Sequence, residues 1–389
     1  MIKIVDPSKC CGCSACVNVC HHHAISMQPD KLGFLYPVVD QAKCVDCGLC
    51  DKVCSFVPDV EDVMRVPQNV KVEVLAARHK DSEILAQSQS GGAFSAMAEQ
   101  VLNDGGLVYG AAFDDSHMVY HRRVDSLEGL AALRGSKYVQ SDIRGRYGEI
   151  FGQILGDLNN GFKVLFTGTP CQVAGLKSYI PENLQERLFT LDFVCHGVPS
   201  PAVWKDYLDY MSRHGKIVKA NFRDKSVAGW KEHKETFIYN NGKKNVADSF
   251  RVLFYKNIML RHSCSVCPYN VINHKSDVTI ADFWGYKEMG IANDEKGLSL
   301  ICVYTERGKA AVDGTRECFV LNPLDETNVQ YAYRKKSYSA AALQRRANFL
   351  ETVRKSSFMR VIKQEDFKFG KIGILTKIFI RKVRKVVGK

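Results

Sequence analysis

The sequence contains no uninterrupted apolar run of the ~18 residues that a bilayer-spanning helix requires, so no transmembrane helix is expected. No apolar signal segment follows Met1: the opening MIKIVDPSKCCGCSACV turns polar almost at once. The cysteines are therefore not expected to form the disulfide scaffold of a small secreted domain, and the expected location is cytoplasmic. There is no G-x-G-x-x-G, so a Rossmann pyrophosphate turn is not indicated. Acidic residues are outnumbered by basic ones, 42 to 54, for a formal charge of +12. That excess is local. Residues 1–66 carry six Lys/Arg against eight Asp/Glu, whereas residues 368–389 carry eight Lys/Arg and no acid. A charge concentrated in one terminal stretch argues against the whole chain being a nucleic-acid binder.

What is present is a folded-protein composition, 46% hydrophobic and 25% charged over 389 residues, together with 15 cysteines. This length predicts two or three domains. Nine of the cysteines lie between Cys10 and Cys54, and the step in density after them marks a boundary. Val57–Asn69, with two prolines and a short acidic patch, reads as a linker. Beyond it, strand-like apolar runs such as VKVEVLAARH and GLVYGAAFD alternate with helical stretches such as SGGAFSAMAEQVLNDG, the pattern of an α/β domain with a largely parallel sheet. The expected fold is an α+β ferredoxin-like iron–sulfur domain (1–66), an α/β flavin-binding domain (70–335) and a helical region (336–389) ending in a basic amphipathic C-terminal helix.

Cys10, Cys13, Cys16 and Cys20 are repeated 34 residues later as Cys44, Cys47, Cys50 and Cys54. Each half reads C-x2-C-x2-C-x3-C, the spacing of bacterial two-cluster [4Fe-4S] domains, in which the fourth cysteine ligates the other cluster. Three thiolates two residues apart wrap one face of a cubane, and the fourth opens a helix that reaches across. This predicts Cys10, Cys13, Cys16 and Cys54 on one cluster, and Cys44, Cys47, Cys50 and Cys20 on the other. Zinc ribbons pair C-x2-C claws and do not account for the doubled four-cysteine spacing. His21 and Ser55 stand where proline commonly follows the fourth cysteine, which affects packing and not ligation. Cys11 fits neither register and reads as a spectator; His21, His22 and His23 read as solvated.

Four of the remaining cysteines sit at element ends. Cys171, in FTGTPCQVAGL, follows a strand in the first turn of a helix with Thr169 as N-cap and Pro170 as first residue; the unpaired N–H groups there favour a thiolate. Cys195 ends a strand beside His196, and Cys264 and Cys267 form a C-S-V-C claw. The spacing leaves two readings open: four ligands for a third [4Fe-4S] cluster, or a nucleophile built on the Cys195–His196 pair. Cys302 and Cys318 lie in apolar strand-like runs and read as core thiols.

SQSGGAFSAMA (88–98), GSKYVQS (135–141), FTGTPCQVAGL (166–176), DFVCHGVPSP (192–201), CSVCPY (264–269) and SDVTIADFWG (276–285), in that order, resemble the beta subunits of coenzyme F420 (deazaflavin) hydrogenases and dehydrogenases. The plant 7-hydroxymethyl chlorophyll a reductase is similar. The resemblance covers roughly residues 70–335. It implies an α/β oxidoreductase domain that binds FAD and one further [4Fe-4S] cluster, the latter on Cys171, Cys195, Cys264 and Cys267. With the resemblance, Ser90, Gly91 and Gly92 at a helix start, Lys137 and Tyr138 become the expected flavin contacts; without it they read as a tight turn, a surface lysine and a core tyrosine. Asp282 and Trp284 are further lining candidates. Three [4Fe-4S] clusters and FAD would join a ferredoxin-like one-electron donor or acceptor to a small organic substrate or a deazaflavin, with no nucleic acid involved. The alternative is a non-enzymatic electron-transfer subunit of a larger redox complex.

In KFGKIGILTKIFIRKVRKVVGK (368–389), Ile372, Leu375, Phe379, Val383 and Val386 share one helical face, while Lys377, Arg381, Arg384 and Lys385 fall opposite. That pattern suits an interfacial helix on the anionic inner face of a membrane, each surface-bound basic residue contributing about 1 kcal/mol; a helix docked on its own domain or an acidic protein partner are the alternatives. Removing 368–389 is expected to abolish co-sedimentation with anionic vesicles, and unchanged sedimentation would favour the docked helix.

Overall fold

The computed structural model describes residues 1–56, 72–145, 148–270, 274–292, 295–331 and 340–355; the expected linker and the basic tail lie outside these residues. The cysteine repeat is also a repeat of backbone conformation. Short helices Ala15–Asn18 and Leu49–Lys52 contain the third cysteine of each run, Cys16 and Cys50, and end before the fourth, so Cys20 and Cys54 follow a helix and do not open one as expected. Gly12 and Ser14 have φ of 73° and 63°, and Asp46 and Gly48, 34 residues on, have φ of 52° and 74°. Alternating left- and right-handed residues turn successive N–H groups toward the inside of a loop, a concavity suited to anionic iron–sulfur groups. Strands β1 (Ile25–Pro29) and β2 (Leu35–Val39) pair antiparallel between the two halves and complete an α+β ferredoxin-like unit.

The remaining strands in chain order are β3 (Glu73–His79), β4 (Leu107–Phe113), β5 (Val119–Val124), β6 (Val164–Gly168), β7 (Leu188–Phe193), β8 (Ile217–Asn221), β9 (Glu235–Tyr239), β10 (Lys244–Ala247), β11 (Val278–Asp282), β12 (Ser299–Val303) and β13 (Phe319–Leu324). Eight of them form one sheet in the order β13-β3-β12-β11-β7-β6-β4-β5. Only its centre, β11-β7-β6-β4, is parallel; every flanking pair is antiparallel, so the sheet is more mixed than the strand–helix alternation predicts. The mix has a local cause at one edge: Asp114–Met118 is a tight turn, with Met118 N bonded to Asp114 Oδ1 at 2.9 Å, and it folds β5 straight back on β4. β3 nonetheless runs in the direction of the central four. The carboxyl ends of five strands therefore share one edge, the usual place for a site in an open α/β sheet.

Helices Ala93–Asn103, Ile150–Asn159 and Pro170–Tyr179 bury apolar faces on the sheet. A second sheet, β10-β9-β8, packs with helices Pro201–Met211 and Ser249–Tyr255 around Trp204, Tyr207, Phe237 and Phe250, all 1% exposed or less. The same apolar cluster takes in Leu32 and Phe34 from the β1–β2 hairpin, so the ferredoxin-like unit shares a core with the larger domain. Ser200 Oγ donates to Leu32 O at 2.7 Å and Tyr269 OH to Ser55 O at 2.8 Å across the same junction. Cys302 is fully buried in β12, as its apolar run predicts.

Asn18 also crosses the junction, its Oδ1 accepting from Gly152 N at 2.9 Å. Beside it, Glu149 has a buried carboxylate oxygen without a hydrogen-bond partner, and burial with the nearby Asp142 raises its acid to about 7. A raised carboxyl binds its proton more tightly folded than unfolded, so folding loses stability as pH climbs from about 4.5 to 7. Glu149→Gln is expected to gain about 1 kcal/mol in denaturant unfolding at pH 7.5, with the gain vanishing near pH 4.

Candidate metal centre

β6 is apolar to Phe166 and ends on Thr167-Gly168, and Thr169 then starts the helix Pro170–Tyr179. Gln172 Oε1 accepts from Thr169 N at 2.9 Å, which seals the helix start with Cys171 in its first turn. Thr169 Oγ1 and Cys171 Sγ share a hydrogen bond of 3.2 Å. β7 ends at Phe193, and Cys195 and His196 follow in a loop beside it. Gly197, at φ 120°, turns its N–H back on Cys195 Sγ at 3.3 Å, and Val198 N reaches Cys264 Sγ at 3.4 Å. Cys264 and Cys267 lie in and just after a single 3-10 turn, His262–Val266.

These elements converge. Cys171, Cys195, Cys264 and Cys267 line one small cavity, with Thr169, His196, Arg261, Tyr269 and Cys11. Among the described residues no three His, Cys, Asp or Glu side chains are drawn together tightly enough to hold a single ion; the four thiols stand around a space instead. His196 Nε2 pairs with Asn257 Oδ1 at 2.7 Å. The chemistry of the donor set fits a cationic metal group, because burial and the neighbouring Cys171, Cys264 and Cys195 push the Cys267 thiol well up. Such thiols release protons only when positive charge arrives among them.

The ferredoxin-like loops fit their expected groups in the same way. Cys16 is buried and raised by burial and by Cys13, Cys10, Cys54 and Cys50, so members of both predicted sets lie near it. Ile2 N donates to Cys50 Sγ at 3.2 Å and Ala24 N to Cys20 Sγ at 3.4 Å, so both sulfurs receive a backbone N–H. Cys47 is exposed, so the second loop faces solvent. His21, His22 and His23 are exposed as well.

Cys11 is more than a spectator. It is 5% exposed, lines the inner cavity, and packs in one cluster with Cys13 and Cys171. Among these buried sulfurs the Cys11 thiol is pushed well up, while Cys171, with Cys11 beside it, is lowered to about 7. Gly175 permits the approach: a Cβ there would stand 2.7 Å from Cys13 Sγ. Sequence spacing excluded Cys11 as a ligand but carried no signal that the first loop would be laid against the Cys171 helix.

The expected flavin contacts fare unevenly. Lys137 Nζ donates to the carbonyls of Ala132, Leu133 and Arg134 at 2.8–3.0 Å, closing the turn after the helix Leu127–Leu130. Ser90 Oγ donates to Leu298 O at 2.8 Å and Gly91 N to Ser299 Oγ at 2.9 Å. A Cβ on Gly91 would lie 2.1 Å from Ala77 O. Ser90, Gly91 and Gly92 thus stitch β3 to β12, and packing alone accounts for the glycine pair and the lysine. Tyr138 does reach the cavity's surroundings, within 5.1–5.4 Å of the Phe254 and His233 rings. Tyr255 links His233 to His196, both ring pairs at 5.4 Å. Asp282 is fixed by Arg223 at 2.5 Å and Trp230 Nε1 at 2.8 Å, and Trp230 stacks on Trp284 at 4.4 Å.

The family model for the C terminus of the coenzyme F420 hydrogenase/dehydrogenase beta subunit matches residues 161–327, and its N-terminal counterpart matches 74–144. The two halves fall in order over more than half of the chain. The chain belongs to the coenzyme F420 hydrogenase/dehydrogenase beta subunit family. A model of the 4Fe-4S dicluster domain matches residues 9–56, so this family member carries an iron–sulfur dicluster domain in front. Among solved structures it is similar to a chain of the F420-reducing [NiFe] hydrogenase complex from Methanosarcina barkeri, at 17% identity over 78% of this chain and 94% of that one, with a TM-score of 0.45. A likeness that loose carries no argument about function. No curated protein matches. For this beta-subunit-type chain, Cys11→Ala is expected to retain its full iron, whereas Cys13→Ala loses about four atoms by iron assay; a cluster's worth of iron lost from Cys11→Ala would make Cys11 a ligand.

Proposed function

We propose that the chain is an iron–sulfur flavoprotein oxidoreductase that joins a ferredoxin-like one-electron partner to a small organic substrate or a deazaflavin coenzyme. The observation that carries it is the convergence of Cys171, Cys195, Cys264 and Cys267 on one cavity directly beside the first ferredoxin loop. In this reading Cys10, Cys13, Cys16 and Cys54 hold one [4Fe-4S] cluster, Cys20, Cys44, Cys47 and Cys50 a second, and the four inner cysteines a third. Clusters carry electrons singly, and a flavin takes two singly and hands them on as a hydride.

The chain's own residues have defined tasks in this scheme. Gly197 N and Val198 N donate to the inner sulfurs and stabilise them as thiolates. Asn257 fixes the His196 ring at the cavity edge. The flavin is assigned to the carboxyl edge of the sheet, against the aromatic groups that run from His196 through Tyr255 and His233 to Tyr138. Support for this comes from the family, from the strand ends gathered there, and from Tyr255 and Trp284, which are 46% and 39% exposed although aromatic. Tyr138 keeps its proton because burial raises it, so it acts as a hydrogen-bond donor and not as an anion. The family description as a beta subunit supports action alongside other redox chains, in which case the isolated chain shows no turnover. No described helix is long and apolar enough to cross a membrane.

Replacing Cys264 and Cys267 together by serine is expected to remove about four irons and to leave the ferredoxin-type electron paramagnetic resonance signals in place. Retention of all the iron would refute the inner ligand set.

A further inference from the structure

Arg261 is 1% exposed and lies at the junction of the two units. Its Nε donates to Cys10 O at 2.8 Å, Nη1 to Gln140 Oε1 at 2.9 Å, and Nη2 to Leu35 O at 2.8 Å and to Cys10 Sγ at 3.6 Å. Its guanidinium carbon stands 4.3 Å from the centre of the Tyr36 ring and 5.5 Å from that of Phe34. None of these partners is a carboxylate. A guanidinium out of water is costly unless negative charge faces it, and the groups here that become anionic are the cysteine sulfurs. Gln140 completes the clamp, its Nε2 donating to Cys11 O at 3.1 Å. Gly12 is needed beneath it, since a Cβ there would meet Arg261 Nη1 at 2.9 Å. The backbone ties Arg261 to the inner cavity as well: its N–H donates to Val198 O at 2.9 Å, and Cys264 N donates to Arg261 O at 3.1 Å.

The two ferredoxin loops, alike in backbone, are therefore unlike in surroundings. The first has a desolvated cation on Cys10; the second presents Cys47 and Val45 to solvent. We infer that Arg261 is a positioning residue that holds the first loop against the inner cavity and makes the group on Cys10, Cys13, Cys16 and Cys54 the more readily reduced of the two ferredoxin-type clusters. A fixed positive charge favours whichever state carries more negative charge, here the reduced one, and low local polarity strengthens the effect. The inference rests on the ligand sets given under the proposed function.

Redox titrations of three variants, followed by electron paramagnetic resonance, test it. Cys47→Ser strips the outer cluster, and the ferredoxin-type signal that survives is expected to be the higher-potential one of the unsubstituted protein. This measurement leaves Arg261 untouched and does not depend on how its variants fold. Survival of the lower-potential signal overturns the inference. A Cys47→Ser protein that keeps all its iron overturns the ligand reading and the inference with it. In Arg261→Gln with full iron, the reduced-to-oxidised ratio of that cluster at fixed solution potential is expected to fall about tenfold or more, about 59 mV for one electron, while the outer cluster is unchanged. Arg261→Lys, which keeps the charge, is expected to restore most of the ratio. Unchanged potentials in Arg261→Gln with its iron intact overturn the inference while leaving the ligand sets standing.

Discussion

The structure depends on one close contact, in which the loop Cys10–Gly12 is pressed against the helix that begins at Thr169. Three side-chain facts allow it. Gly175 leaves room for Cys13, Gly12 leaves room for the Arg261 guanidinium, and Cys11 packs in one cluster with Cys13 and Cys171. Close packing means that no one of these can be enlarged without moving the others. The contact also brings cysteines from two stretches far apart in the chain into a single buried region.

The parallel centre of the sheet sets where this happens. β6 and β7 run side by side, and the turns after them carry Cys171 and Cys195 to the same edge. The C-S-V-C claw is anchored from the other direction, through Arg261 N to Val198 O and Tyr269 OH to Ser55 O. Asp192, on β7 and fully buried, accepts from Thr279 Oγ1 at 2.5 Å and lies 3.0 Å from His274 Nδ1, which ties the chain after the claw to the sheet. Buried polar groups joined in this way specify one arrangement more than they add stability.

Much of this was legible in the sequence. The doubled cysteine spacing gave the ferredoxin-like unit because ligand geometry dictates it, and apolar runs alternating with helical stretches gave the α/β domain. The helix start at Thr169-Pro170 followed from capping chemistry. Three features were hidden for physical reasons. Antiparallel flanks such as β4–β5 arise from a single tight turn and leave no mark on hydrophobic periodicity. Lys137 was an expected flavin contact, but its ammonium is taken up by three carbonyls of the preceding turn. Cys11 packs against Cys171, and Arg261 donates to Cys10 O, partners 160 and 251 residues away in the chain, which no local pattern encodes.

On this reading the inner cysteines and the carboxyl edge of the sheet make the chain a carrier of a third cluster and a flavin. Iron and flavin counted together on the unsubstituted full chain, purified without oxygen, test it most directly. About twelve irons and one flavin per chain are expected. About eight irons and no flavin would contradict it.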